Sequence, residues 1–358
     1  MKTGSRLYYL DVLRIFAIFC VVLVHVSGAF FYDAPVSSTR FLSMCLYDEF
    51  AHIAVPIFVM ISGALFLDPS RDITYGKIFK KYLPRLGVAF AVWSAAYAAY
   101  NVGAVSGYPS MAEWLFELLC DFIRGPFHFW FLPMIAGLYL VTPLLRSFTS
   151  DRGLRRAFLA LGLAFAIVWP CVVNLLELSG GGGSHELALA LQNMLNDANF
   201  TFALKYSFYF VLGYHLKERV CRRPVTTLLV GFLALFAGGL LVFYQSGLDG
   251  KANALFLNNF SLFVFMGSVG FFEFGAGMLG SWRPSDATAR VVRWLSDRVF
   301  GIYLVHIFVL DAIASLGLTA MSFNSFLAIP VTVVAVFGVS LAVSAIIRAI
   351  PRVGRWLT

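Results

Sequence analysis

Long apolar runs separated by short polar connections dominate the sequence. A run of about 20 mainly apolar residues has the length of a helix that crosses the hydrocarbon core of a bilayer. We place ten such helices at residues 8–30, 51–67, 83–102, 128–147, 155–176, 199–217, 225–245, 256–279, 298–317 and 325–348. The pattern predicts an all-α, polytopic membrane protein with about ten transmembrane helices, formed by one membrane domain over residues 1–358.

The composition agrees with a membrane protein and excludes an ordinary soluble domain. Of the 358 residues, 60% are hydrophobic and 13% are charged, whereas about 25% are charged in a typical soluble domain. A soluble globule of this composition would expose large apolar patches. The five cysteines have no metal-ligand spacing, so we expect no metal site. Cys45 and Cys120 both fall on the predicted outer side, where a disulfide could form, but their spacing fixes no pairing.

Basic residues are concentrated on alternate connections between the predicted helices. Of the 27 Lys and Arg residues, 22 lie on one side, and the acidic residues show the opposite bias. The positive-inside rule therefore predicts that both termini are cytoplasmic. The formal net charge of +8 is thus an orientation signal, and it predicts no nucleic-acid partner.

Three longer connections lie on the predicted outer side, at residues 31–50, 103–127 and 177–198, and we expect them to shape a substrate entrance. Within them, the amphipathic segment Glu113–Phe122 is predicted to lie at the membrane interface. Gly180–Gly183 is predicted to be a flexible joint. The sequence contains no nucleotide P-loop, so the chemistry must come from groups within or beside the spans.

The first predicted helix carries three ionisable residues, which are costly inside a membrane and indicate function by default. Arg14 and His25 are 11 positions apart, which is close to three helical turns and a rise of about 16 Å, so they share one face. Asp11 precedes Arg14 by three residues and can pair with it. Arg14 and His25 could instead snorkel to the two interfaces. The shared face and the paired acid favour a polar channel lining.

Three more ionisable residues lie in or beside later spans. His128 is predicted at the same outer depth as His25, among aromatic residues typical of an interfacial belt. Lys205 lies about six residues into its span, where it either takes part in function or snorkels. His306 falls near mid-membrane, where a lone neutral histidine is more often a hydrogen-bonded packing residue than a base.

The second predicted span is interpreted mainly in terms of packing. Pro56 predicts a kink, and Ser62 with Gly63 predicts close helix contact, because small residues are typical of transmembrane helix interfaces. His52, just before this span, is interpreted as an interfacial residue rather than a catalyst.

Four motifs are spread along the chain: Leu-Asp-x-Leu-Arg with a His after ten further residues (Leu10–His25), Pro-x-Phe-x-x-x-Ser-Gly (Pro56–Gly63), His-x-Trp-Phe-Leu from His128, and Gly-Ile-Tyr-Leu-x-His (Gly301–His306). Together they resemble the acyltransferase-3 family of membrane O-acyltransferases. The resemblance implies a bacterial inner-membrane enzyme that takes an acyl group, usually acetyl from cytoplasmic acetyl-CoA. It implies transfer to a sugar hydroxyl of a surface polysaccharide, such as lipopolysaccharide, or of its lipid-linked precursor.

Together the resemblance and the charge pattern predict roles for individual residues. We expect the phosphates of acyl-CoA to bind at Arg14, Lys80 and Lys81, with Asp11 supporting Arg14. His25 is predicted to be the general base, with Arg14 as its partner in catalysis; a covalent acyl-His25 intermediate is the alternative route. Further contacts to the acceptor or the oxyanion are predicted for His128, Lys205 and His306.

The expected partners are acyl-CoA as co-substrate, a glycan or lipid-linked glycan as acceptor, and membrane lipids, with no tightly bound cofactor. A secondary transporter or flippase for a lipid-linked sugar or a small anion is the alternative function, because ten spans with charges in the membrane suit it equally well. Acetyl-CoA-dependent labelling of glycan would discriminate between the two.

Overall fold

Helices account for the regular secondary structure of residues 6–104, 110–179, 182–219 and 221–358, which are the residues that the computed structural model describes, and these ranges contain no β-strand. The α-helices are α1 (Tyr8–Gly28), α2 (Thr39–Ala51), α3 (Ala54–Phe66), α4 (Tyr75–Lys77), α5 (Leu83–Ala104), α6 (Met111–Arg124), α7 (Phe131–Thr149), α8 (Arg152–Gly162), α9 (Trp169–Leu178), α10 (Gly182–Ala198), α11 (Phe200–Glu218), α12 (Pro224–Asp249), α13 (Leu262–Leu279), α14 (Asp286–Ser296), α15 (Val299–Ser315), α16 (Ser325–Ala349) and α17 (Gly354–Leu357).

Every predicted span coincides with a helix, but the count of ten crossings is not confirmed. Within the described ranges, seven helical segments are long and apolar enough to cross a membrane, or eight if α14 and α15, bent by 51° relative to each other, form one span. The other two predicted spans correspond to α5 and α11, which fall short of the same apolarity. The protein is therefore an all-α, polytopic membrane protein.

The predicted outer connection at residues 31–50 differs most from the structure. Most of it forms α2, because Phe41, Met44 and Cys45 recur at helical spacing and are fully buried. Asp48 and Glu49, which the charge count places outside, are 5% and 0% exposed. The outer connection 177–198 also contains a helix, α10. Gly180 and Gly181 of the predicted joint lie outside the described residues.

Two π-helical segments, Ile78–Tyr82 and Leu163–Val168, each end close before a proline. Pro84 and Pro170 have no N–H to donate, and each ring crowds the carbonyl four residues earlier. A widened turn accommodates both effects. The second segment joins α8 and α9 into one apolar stretch over Arg152–Leu178.

The span predicted at residues 256–279 begins six residues late, at Leu262. Asparagine side chains satisfy the preceding backbone instead. Asn253 Oδ1 accepts from Leu255 N at 2.9 Å, and Asn258 Oδ1 accepts from Phe260 N at 3.0 Å. Such local bonds stabilise turns over helix, so an irregular loop enters the bundle here.

Glycines set the closest helix contacts, as the second-span motif predicts. A methyl group on Gly63 of α3 would overlap the backbone carbonyl of Phe210 in α11, and one on Gly213 would overlap that of Met60. The two helices therefore touch backbone to backbone. All five cysteines lie in the described ranges and are free, so Cys45 and Cys120 are not paired.

Candidate active site

A cavity of about 730 Å³ lies in the helix bundle and follows one face of α1. Both Arg14 and His25 line it, and their separation of 11 residues corresponds to about 16 Å along the helix. We call the part around Arg14 the arginine end and the part around His25 the histidine end. The face shared by these residues is thus the wall of a single cavity.

At the arginine end, a hydrogen-bonded network surrounds Asp11. Arg6 binds its carboxylate through two nitrogens, Nε at 2.6 Å and Nη2 at 2.9 Å, and the Ser296 hydroxyl donates to it at 2.7 Å. Arg14 Nη1 lies 3.3 Å from the same carboxylate and 3.1 Å from Ser296 Oγ. Asp11 therefore pairs with Arg14 as predicted, but Arg6 is its stronger partner. Arg14 Nε and Nη2 form no hydrogen bond with any described residue.

Two more arginines, Arg85 from α5 and Arg348 from α16, line the arginine end. Both donate to the main-chain oxygen of Thr358, at 2.9 and 3.3 Å. Lys80 and Lys81 are exposed on the π-helical segment and do not belong to the cavity wall. Among the described residues, the arginines that face the cavity here are thus Arg14, Arg85 and Arg348.

Three imidazoles meet at the histidine end. The ring centroids of His25 and His306 are 5.1 Å apart, those of His128 and His306 5.0 Å, and those of His25 and His128 6.1 Å. They come from α1, from the 3₁₀ turn Phe127–Trp130 and from α15. No group of His, Cys, Asp and Glu side chains within the described ranges has the arrangement of a metal site.

Hydrogen bonds define the state of these rings. His306 is fully buried, and its Nδ1 lies 2.7 Å from the carbonyl of Tyr303. A carbonyl only accepts, so Nδ1 carries the proton, and in the neutral ring Nε2 keeps its lone pair. That Nε2 has no partner among the described residues, and neither ring nitrogen of His128, 3% exposed, has one. The Tyr303 hydroxyl donates to the His128 carbonyl at 2.7 Å and links α15 to this turn.

His52 also lines the histidine end, although the sequence favours an interfacial role for it. Its Nδ1 donates to the backbone carbonyl of Asp48 at 2.8 Å, which leaves Nε2 as the acceptor of the neutral ring. Asp48 in turn accepts from Ser27 Oγ at 3.0 Å. His52 is therefore a second half-buried imidazole with a defined orientation.

Lys205 lies beside the cavity rather than in its wall. The side chain is exposed, and Nζ is 5.7 Å from the ring centroid of Phe260, which lines the cavity. The neighbouring Tyr206 lines it directly, and its hydroxyl accepts from Asn259 Nδ2 at 3.1 Å. Aromatic and amide groups of the irregular loop therefore surround the opening near Lys205.

Sequence reasoning missed Arg6, Arg85, Arg348 and the contribution of His52. Arg85 carried a detectable signal, since it lies just inside a predicted span, where an ionisable residue indicates function. Arg348 lies at the very end of its span and resembles an ordinary interfacial cation. Only the packing of α1, α5 and α16 identifies it as part of the site.

Comparison with known proteins identifies the family. The family model of the acyltransferase-3 family, described as an acyltransferase domain, matches residues 7–349. No curated protein and no solved structure matches the chain. The matched range contains Arg14, Arg85 and Arg348 at one end of the cavity, His25 and His128 at the other, and His306, which packs against these two rings. The chain belongs to the acyltransferase-3 family and is a membrane acyltransferase.

Proposed function

We propose that the protein transfers an acetyl group from cytoplasmic acetyl-CoA to a sugar hydroxyl of a surface polysaccharide, or of its lipid-linked precursor, in a bacterial inner membrane. One observation carries the proposal: a single cavity has three arginines in its wall at one end and His25 and His128 at the other, and the buried His306 packs against these two imidazoles. Such a cavity suits a reaction between a polyanionic donor and an acceptor that must lose a proton.

The arginine end suits the donor. CoA carries several phosphate charges, and guanidinium groups bind phosphate through paired hydrogen bonds. Arg14 keeps two nitrogens uncommitted within the described structure, and Arg85 and Arg348 face the same space. The distance of about 16 Å from Arg14 to His25 is comparable to an extended pantetheine arm. The thioester would then lie beside His25.

The histidine end suits the chemistry. His25 is half-buried, and neither of its ring nitrogens forms a hydrogen bond with a described residue, so a lone pair is available to take a proton. We assign it the proton of the acceptor hydroxyl as that oxygen attacks the thioester carbonyl carbon. When the tetrahedral oxyanion collapses, the C–S bond breaks, and the imidazolium returns the proton to the leaving CoA sulfur.

The other two imidazoles receive different roles because their hydrogen bonds differ. Neutral His306 offers only an acceptor at Nε2 and does not line the cavity, so it suits a hydrogen bond from a protonated His25 behind the cavity wall. His128 has both ring nitrogens unpartnered within the described structure, so its N–H can donate to the oxyanion. Arg14 would then hold the donor, and Lys205 would contact the acceptor at the opening.

The acceptor would enter past the aromatic and amide groups of the opening. Trp130 and Tyr206 have ring centroids 5.7 Å apart, and Asn258 and Asn259 line the same region. Apolar faces with a few placed polar groups are typical of small-molecule sites, and a sugar ring presents both surfaces. This arrangement supports a sugar as the acceptor.

Radiolabelled acetyl-CoA tests the proposal, with membranes that contain the protein and a glycan acceptor. His25→Ala should lower the rate of glycan acetylation by about 10²- to 10⁴-fold, the usual contribution of a general base. The matched control is His185→Ala on the exposed outer helix α10, which should retain activity. Full activity of His25→Ala would refute the scheme. Glycan movement without incorporation of label would instead favour a transporter, and trapped label on His25 would indicate the acyl-enzyme route.

A further inference from the structure

A second pocket, of about 430 Å³, lies between α8 and α11. Its wall consists of Arg152, Arg155, Arg156, His215, Glu218 and Arg219. None of these six described residues lines the larger cavity. Four guanidinium groups face one carboxylate, so the pocket keeps three positive charges when His215 is neutral.

Arg155 lies at the centre of this pocket and is only 4% exposed. Its Nη1 lies 2.6 Å from the carboxylate of Glu218 and donates to the carbonyl of Thr149 at 3.1 Å. Its Nε is buried and has no hydrogen-bond partner in the described parts of the chain, and the same is true of His215 Nδ1. A buried guanidinium with an unsatisfied N–H is costly unless a ligand accepts from it.

The arginines lie near the N-terminus of α8, where the helix dipole makes the electrostatic potential more positive. Arg152, Arg155 and Arg156 lie in the first two turns of this helix, where the helix dipole is positive and disfavours cations. Asp151 is already used as the N-cap, accepting from the backbone N–H groups of Gly153 and Leu154 at 2.7 and 2.9 Å. Within the pocket, Glu218 therefore balances only one of the four guanidinium charges.

We propose that this pocket binds the phosphate group of an anionic phospholipid from the leaflet on its side of the membrane. Arginine forks match phosphate oxygens in geometry and charge. Basic pockets between transmembrane helices are known to hold anionic headgroups. Leu154 and Leu161 on the same helix are 57% and 47% exposed, which gives the acyl chains an apolar surface next to the headgroup. The site is independent of the proposed acetyl transfer.

Lipid titration of the purified full chain tests this proposal. The chain is placed in phosphatidylcholine nanodiscs with increasing amounts of phosphatidylglycerol, and retained lipid is measured by native mass spectrometry. The double variant Arg152→Gln, Arg156→Gln should bind phosphatidylglycerol about a hundredfold more weakly, because each of the two lost charge-assisted contacts contributes about one factor of ten. The control Arg283→Gln, Arg290→Gln removes the same charge from exposed positions and should change binding by less than about threefold.

Several results would overturn the proposal. Equal binding by the wild type and the Arg152, Arg156 double variant would do so, as would an equal loss in the control pair, which would indicate general surface charge. Inorganic phosphate is tested separately for its ability to stabilise the protein against thermal unfolding. If it does so at a lower concentration than phosphatidylglycerol needs for the same effect, free phosphate is the ligand and the proposal is wrong. If the double variant fails to fold in phosphatidylcholine alone, Arg155→Lys is used instead, which keeps the charge and loses the fork. It should weaken phosphatidylglycerol binding, and wild-type binding would again contradict the proposal.

Discussion

Replacing Arg85 or Arg348 with Gln should weaken acyl-CoA binding, whereas replacing Lys80 and Lys81 should not. The two arginines face the cavity beside Arg14, while the two lysines are exposed outside it. The sequence singles out the lysines as donor contacts, whereas the cavity favours the arginines. Measuring both sets therefore separates a donor that binds inside the bundle from one held at its surface.

The magnitude follows from the surroundings of each group. A hydrogen bond to a charged partner contributes about 1.5–3 kcal/mol, so losing one phosphate contact should raise Kd about ten- to hundredfold. Exposed ion pairs contribute about 0–1 kcal/mol each, so Lys80→Gln and Lys81→Gln, as single variants, should each change Kd less than about fivefold. Arg85 and Arg348 both donate to the main-chain oxygen of Thr358, so in each single variant the remaining arginine still donates to that oxygen.

Isothermal titration of the detergent-purified protein with CoA gives Kd directly, and initial rates against acetyl-CoA give KM. Thermal unfolding checks that every variant is folded. Wild-type Kd in both arginine variants, together with a loss of affinity of more than tenfold in either single lysine variant, would refute docking in the cavity. A rise in Kd that disappears at high salt would also contradict it, because contacts inside the cavity are screened less than surface ones.

Two further predictions concern stability. Gly63→Ala should lower Tm and reduce the free energy of unfolding by about 1–3 kcal/mol, because the added methyl group meets the Phe210 carbonyl. The control Gly338→Ala places its methyl group in open space and should raise the free energy of unfolding by up to about 1 kcal/mol. Equal Tm values for the two variants would contradict the close packing at Gly63. Asp68 titrates outside the spans: burial opposes the shift, but hydrogen bonds from Lys217 and Ser70 lower its pKa. The stabilisation by the Asp68 carboxylate is present above the pKa of an aspartate in the unfolded chain, about 3.9, and is lost as the pH falls. Tm should therefore fall more steeply from pH 5 to 3 in the wild type than in Asp68→Asn. Parallel Tm profiles would refute this.

Features that depend on one helix were predictable from the sequence. Apolar runs locate the helices, because a helix in a membrane must satisfy its own backbone. The spacing of Arg14 and His25 places them on one face, because helical periodicity fixes their relative direction. The small residues Ser62 and Gly63 predict a close contact, although not that α11 is the partner.

Features that depend on how helices pack were not predictable in the same way. His306 follows His25 by hundreds of residues, and no local spacing encodes the 5.1 Å between their rings. The loop before α13 is rich in Leu and Phe and looks like part of a span, but Asn253 and Asn258 satisfy its backbone locally. The acidity of Asp48 and Glu49 suggests an outer connection, but both are buried within the protein because the apolar residues of α2 pack into the helix bundle.

The closeness of the three imidazoles also limits how many protons the histidine end can hold. Two positive charges about 5 Å apart repel by about 3 kcal/mol at an effective dielectric constant near 20. His25, His128 and His306 lie within 5.0–6.1 Å of one another, so a second proton on this group would be disfavoured by about a hundredfold. Because Tyr303 fixes the proton of His306 on Nδ1, the group accepts one additional proton and must release it before the next. In the proposed acyl transfer, one such cycle would carry a proton from the acceptor hydroxyl to the leaving thiolate, so one proton at a time is sufficient.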